Sequence, residues 1–276
     1  MLVDGKYVSE LMGRRMLTCG RGFPFVLPVQ TAANAFADGI KSARRFFYME
    51  DQRFAGSPKM EAAIRDALSS GVVGIINIAA EPSAGDLPDL PFRRRAFLAP
   101  LVNQFPGQLL VFERLGNDSP GGPMAYVYTK LLIVDDEAAF IGSIDSSRRF
   151  GSHDIEIDAT IVDSTGRGQA APGSREWIRA LRADLWSRYF NVPSALLGDF
   201  PTCLGIWRAV ISGQRVLLDG NLVDIRNTAS VRKYDVNAAA PRLSVGGVPL
   251  DPLLLQTAWD ALLDPEMAWD ALLDPF

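Results

Sequence analysis

The sequence predicts an α/β fold: a mixed, largely parallel sheet flanked by helices on both faces, with a small helical and hairpin extension at the C-terminus. Two observations carry this. Between residues 31 and 114, short apolar runs alternate with segments of helical periodicity, as expected of strands joined by crossover helices. The run VVGIINIAA at 72–80 is apolar at both parities, which suits a strand covered on both faces.

Residues 1–28 read as an irregular lead-in punctuated by Gly20, Gly22, Pro24 and Pro28. From Thr31 to Phe47 the apolar positions Phe36, Ile40, Ala43 and Phe47 recur at helical spacing. FFYMED (46–51) reads as a short buried strand ending in acids. Ser57 and Pro58 supply a cap and a first-turn proline, Gly71 supplies a stop, and Met60, Ile64 and Leu68 form the apolar face between them. After the strand at 72–80, PFRRRAFLAPLVNQ (91–104) reads as a helix with Arg93, Arg94 and Arg95 on a solvated face, and QLLVFER (108–114) as a strand. MAYVYTKLLIV and AAFIGS look like two strands joined by the acidic turn DDE, and DIEIDATIV (154–162) adds one more.

DSTGRGQAAPGS (163–174) is a loop by composition. Trp177, Leu181, Leu185 and Tyr189 mark an amphipathic helix; a second covers 194–211, and a hairpin is expected around LLDGNLVDI. The octapeptide AWDALLDP occurs at 258–265 and again at 268–275, with Pro265 breaking any continuous helix. It reads as a short duplication whose first copy docks through Trp259. The expected organisation is a lead-in at 1–28, an α/β domain at 29–165, and C-terminal helices and extension at 166–276 packed on the same domain.

The length of 276 residues suffices for one large domain or two small ones. A net charge of −4 gives no electrostatic case for bulk nucleic-acid binding, and no specific nucleic acid is expected. With one histidine and no CxxC pair, no metal site is expected. Cys19 and Cys203 read as buried free thiols. No segment reads as a signal peptide and the apolar runs are too short for a bilayer, so a soluble, cytoplasmic protein is expected.

The stretch YVYTKLLIVDDEAAFIGSIDSSRRFGSHDIEID (126–158) concentrates the chemistry. In an extended strand alternate side chains share a face, so Tyr128 and Lys130 should point the same way, with Tyr126, Leu132 and Val134. They are the pair placed to touch one anionic ligand; on spacing alone, a strand lysine reaching solvent is an equal reading. Asp135 has the opposite parity and reads as a turn or ion-pair residue. His153 lies outside the nucleophile's offset from Lys130 and suits a supporting role. Glu50, Asp51 and Gln52 end a strand, where α/β sheets often place ligand residues, although strand-end packing explains them as well.

These residues resemble the phospholipase D superfamily signature HxKxxxxD, followed by GSxN and a downstream acid. YTKLLIVD (128–135) keeps the lysine and the aspartate, GSID (142–145) stands at GSxN, and HDIE (153–156) at the trailing carboxylate. FFYMEDQRF (46–54) looks like the IxIE(D/N)QYF segment that precedes the second motif of two-motif phospholipases D; SARRF and LWSRYFNVP are similar to the same enzymes. The likeness runs from about residue 23 to 265. It implies metal-free, cofactor-free phosphodiester chemistry through a covalent phosphohistidine, on one half of such a fold.

By that resemblance Lys130 is the phosphate-binding cation, Ser143 and Asp145 are polar contacts, and Glu156 orients the side chain at 128. Gly142 and Asp135 belong to the structural motif, with Glu50, Gln52 and His153 in a surrounding layer. The sequence departs twice. Tyr128 stands where the family has histidine, and a phenol that ionises near 10 is only about one part in a thousand phenolate at neutral pH, a deficit of roughly 4 kcal/mol. Asp145 replaces a neutral amide with a charge that repels phosphate. Only one motif is present, as in the C-terminal half of a two-motif enzyme. The expectation is a phosphodiesterase half, directed by resemblance to phospholipid headgroups, with a degenerate site inactive alone; peripheral membrane contact through Arg93–Arg95 is the less simple alternative to a solvated helix face. The alternatives are a non-catalytic subunit completing a site as a homodimer or with a separate HKD-containing half, and an active variant using Tyr128 as nucleophile.

Overall fold

The structure is a computed structural model that describes residues 31–79, 90–115, 127–146, 157–162, 174–238, 244–245 and 248–249. Its first half alternates as the periodicity predicts: α1 (Thr31–Ser42), β1 (Phe46–Asp51), α2 (Pro58–Ser69), β2 (Val73–Ile78), α3 (Leu90–Gln104) and β3 (Leu109–Arg114). A meander follows, β4 (Leu131–Val134), β5 (Ala138–Gly142) and β6 (Asp158–Val162), then α4 (Ser174–Phe190) and α5 (Phe200–Ser212). The hairpin β7 (Val216–Leu218) and β8 (Asn221–Val223) precedes β9 (Val231–Lys233), and β10 (Ser244–Val245) pairs with β11 (Val248–Pro249).

Seven strands form one mixed sheet in the order β6-β5-β4-β1-β2-β3-β9. Its centre, β1-β2-β3, is parallel because α2 and α3 carry the chain back between strands. β4 runs antiparallel to β1 with Glu50 opposite Leu131, so the residues just before β4 lie beside the C-terminal end of β1. That register positions the site.

Both faces of the central strands β1 to β4 are buried, and side-chain alternation divides them. Phe47, Met49, Ile76, Ile78, Leu109, Val111, Leu132 and Val134 pack in one core with α1, α2 and α3. Phe46, Tyr48, Ile75, Leu110, Phe112, Leu131 and Ile133 pack in the other with Trp186, Phe190, Cys203 and Trp207 of α4 and α5. α2 starts as predicted: the Ser57 hydroxyl accepts the Met60 N–H at 3.2 Å, and proline stands in the first turn.

The structure corrects several expectations. Where the helical spacing and the strand expected at 46–51 overlap, the strand holds: α1 stops at Ser42, and the Asp135 carboxylate takes the N–H groups of Arg44, Arg45 and Phe46. The strand expected at 124–134 contracts to β4, with 127–130 irregular and 124–126 outside the described residues. In α4 the buried face runs through Ile178, Arg182, Trp186 and Phe190, while Trp177 is 48% exposed. The helix expected at 194–211 divides into a 3-10 turn at Ser194–Leu197 and α5, because Asp199 caps α5 by accepting the Thr202 N–H at 2.8 Å.

Arg94 is not on a solvated face. It is buried, and its guanidinium donates to the carbonyls of Gln52 (3.1 Å), Phe54 (3.3 Å) and Ala79 (3.0 Å). Arg182 makes the equivalent clamp on the other face, gripping Asp136 through two bonds of 2.6 and 2.9 Å. Cys203 is a buried free thiol. No helix among the described residues is long and apolar enough to cross a membrane. Cys19, the 1–28 lead-in and both AWDALLDP copies lie outside the described residues.

Candidate functional site

Three chain segments converge at the C-terminal end of β1: the loop after it, the residues leading into β4, and the turn after β5. The Asp51 carboxylate organises the first and third. It accepts the N–H of Arg53 at 2.8 Å and of Ser146 at 2.6 Å. In return, the Ser146 carbonyl accepts the N–H groups of Ala55 (3.1 Å) and Gly56 (2.7 Å). Gly56 has φ +62°, and a Cβ there would lie 2.0 Å from the Phe97 ring, so the loop needs glycine at this point.

Lys130 enters this frame from the start of β4 and is only 4% exposed. Its ammonium donates to the Gln52 side-chain oxygen at 2.7 Å and to the Tyr128 carbonyl at 2.9 Å. Asp145 Oδ1 lies 3.5 Å away as an ion-pair partner. An ammonium group has three hydrogens, and here three oxygens surround it. The ring of Tyr128 closes a fourth side, with Nζ over its face at 3.6 Å from the centroid.

Tyr128 and Lys130 therefore meet, but not as neighbours on one strand face. Tyr128 is 70% exposed while Lys130 is buried. The β1–β4 ladder ends at Leu131, so strand parity no longer governs the two residues before it. The cation contacts the face of the phenol ring.

Burial dominates the electrostatics. It pushes Asp51 up to about 7, with the charge of Asp145 adding to the rise and the Ser146 and Arg53 donors opposing it. Burial also raises Asp145, against the pull of Lys130 and Arg53. The pair thus holds protons more readily than ordinary carboxylates.

Glu50 points to the opposite face of the sheet. Its carboxylate accepts from the phenols of Tyr48 and Tyr189, and burial raises its affinity for a proton. Both phenols are raised in turn, by burial first and then by the Glu50 charge. Arg114 stacks over the Tyr189 ring at 4.4 Å. This cluster holds the end of β1 on the α4 side of the sheet.

Asp135 sits at the far end of β4 from Lys130, where its carboxylate holds the start of β1. Gly142 ends β5, and its N–H donates to the Lys130 carbonyl at 3.2 Å. The Ser143 hydroxyl accepts the Ile157 N–H at 3.0 Å, tying the end of β5 to the start of β6. His153 and Glu156 lie outside the described residues. Sequence reasoning missed Arg94 and Tyr189. Helix phase was the available signal for Arg94: it falls on the stripe of Leu90, Phe97, Leu98 and Leu101 that α3 buries.

No protein-family model matches the chain. Phospholipase D zeta 1 of Arabidopsis thaliana is 38% identical over 92 residues, covering 30% of this chain and 8% of the plant protein. Over that stretch the chain is similar to a phospholipase D. The chain spans only a small part of the curated relative's length.

Among solved structures, NucT from Helicobacter pylori aligns at a TM-score of 0.41 and 21% identity, covering 57% of this chain and 85% of NucT. Phosphatidylserine synthase from Haemophilus influenzae Rd KW20 aligns at 0.39 and 17% identity, over 49% of this chain and 32% of the synthase. At TM-scores this low, the site is read from its own geometry.

Proposed function

We propose that the chain is one half of a phospholipase D-like phosphodiester site, with Lys130 as its phosphate-binding cation, Ser143 and Asp145 beside it, and no turnover by this half alone. The observation that carries the reading is the state of Lys130. Its ammonium is already surrounded by Gln52, the Tyr128 carbonyl and Asp145. A phosphoryl oxygen must displace one of these to reach it. Tyr128, in the nucleophile's place, presents its ring face to the cation, an arrangement that does little to stabilise a phenolate at the hydroxyl.

The test is a metal-independent assay of the purified chain for choline release from phosphatidylcholine. Turnover at an enzymatic rate of about 1 s⁻¹ or more would reject the reading. Phosphotyrosine trapped at residue 128 would replace it with tyrosine nucleophilic catalysis.

A second reading, a non-catalytic wall completed by another HKD-containing half or a second copy, is favoured by the exposure of Tyr128 and of Ile157, which is 63% exposed beside the Ser143 contact. Light scattering with and without a candidate half decides it: a chain that stays monomeric and binds no such half counts against it.

A further inference from the structure

We propose that Asp145 is an internal anion that occupies the phosphoryl position on Lys130, and that its protonation opens the site to a monoanionic phosphodiester. The inference rests on Lys130 being the phosphate cation, as proposed above. The geometry is that of a substituted ligand. Gln52 Oε1 and the Tyr128 carbonyl form two short bonds to Nζ, whereas Asp145 stands at 3.5 Å as the loosest of the three oxygens. It is also the only one of the three that carries charge. The Tyr128 carbonyl belongs to the backbone, and the Gln52 side-chain oxygen is neutral.

Among the described residues, the charged groups facing Asp145 are Lys130 at the start of β4, Arg53 in the loop after β1, and Asp51 at the end of β1. With both carboxylates ionised, their two negative charges balance the two cations, and an incoming diester enters a neutral site already occupied by its competitor. A proton on Asp145 leaves a net positive site and weakens its hold on the ammonium. Burial brings a proton onto Asp145 above the pH of an ordinary aspartate, and the charge of Asp145 helps raise its neighbour Asp51 to about 7.

The probe is dimethyl phosphate, whose single charge is constant over the range used, followed by ³¹P NMR titration of the full chain. Wild type should bind at least about tenfold tighter near pH 5.5 than near pH 8, a change on the scale of one unit charge at close range in a partly buried site. Asp145→Asn should bind near pH 8 as wild type does in acid, with its pH dependence flattened. Asp145→Ser serves the same purpose should the amide variant not fold. A folded Asp145 variant with the affinity and pH profile of wild type overturns the inference. Adding Lys130→Met separates the two layers: if binding survives it, the assignment of Lys130 fails, whereas if binding is lost and Asp145→Asn changed nothing, only the role of Asp145 fails.

Discussion

Replacing Asp135 by alanine should cost about 4–6 kcal/mol of folding stability while leaving the surroundings of Lys130 in place. The magnitude follows from its bonds. Asp135 Oδ1 accepts the N–H groups of Arg45 (2.9 Å) and Phe46 (2.8 Å), and Oδ2 accepts that of Arg44 (2.7 Å). The Phe46 bond is fully buried, so its loss carries the whole desolvation penalty; the other two are half-buried and water recovers part of theirs. Together these come to about 3–5 kcal/mol. The residue also has φ +55°, a conformation aspartate tolerates better than alanine, which adds about 1 kcal/mol. Asp135→Asn retains one acceptor oxygen and the backbone preference, so it should cost only about 1–2 kcal/mol. Urea unfolding followed by tryptophan fluorescence measures both. An alanine variant that loses less than about 1 kcal/mol, or an asparagine variant as damaging as alanine, would refute the assignment of Asp135 as the staple between β1 and the β4–β5 turn.

Three further outcomes are expected. Gly56→Ala should destabilise by about 2 kcal/mol or more in thermal unfolding, because a Cβ would meet the Phe97 ring on a backbone at positive φ; an unchanged midpoint would contradict the loop geometry. Arg94→Met should cost about 2–4 kcal/mol, and Arg94→Lys should fail to rescue it, since one ammonium cannot span the three carbonyls of Gln52, Phe54 and Ala79. Asp51 makes stability depend on pH. Folding raises its pKa from an ordinary aspartate's to about 7, so the folded state binds the proton more tightly. That contribution is fully present below about pH 4 and is lost as the pH rises through 7, amounting to at most about 4 kcal/mol. Asp51→Asn should flatten this slope, and a wild-type stability that rises between about pH 4 and 7 through this site would show the sign to be wrong.

Much of the fold was legible because its signals are local. FFYMED and VVGIINIAA are apolar at both parities, and the structure covers both with helices. Ser57 and Pro58 announced α2 by a capping bond that spans three residues. The failures are long-range. The segment leaving α1 is held by a carboxylate more than 90 residues away in the chain, and no periodicity in TAANAFADGIKS carries that information. The orientation of Tyr128 failed for a related reason: parity holds only along a paired ladder, and this one ends at Leu131. Arg94 was misread because three consecutive arginines suggest solvent, although the apolar stripe of α3 passes through the middle one.

The site shows how sequence resemblance and folding energetics meet at one residue. Resemblance marks Asp145 as a departure, an acid where a neutral amide is expected, and sequence alone reads it as repelling phosphate. Its placement gives it a second consequence. Lys130 is buried, and a buried ammonium without a counter-charge costs several kcal/mol. A site that waits for an anionic ligand bears that cost while empty; this one carries its anion 3.5 Å from the cation. The same carboxylate that stabilises the empty fold therefore competes with the ligand. The two effects should move in opposite directions: Asp145→Asn should lower stability by about 1–3 kcal/mol in urea unfolding while raising affinity for dimethyl phosphate. A variant that is both more stable and a better binder would separate them and show that Lys130 does not rely on Asp145 for its charge balance.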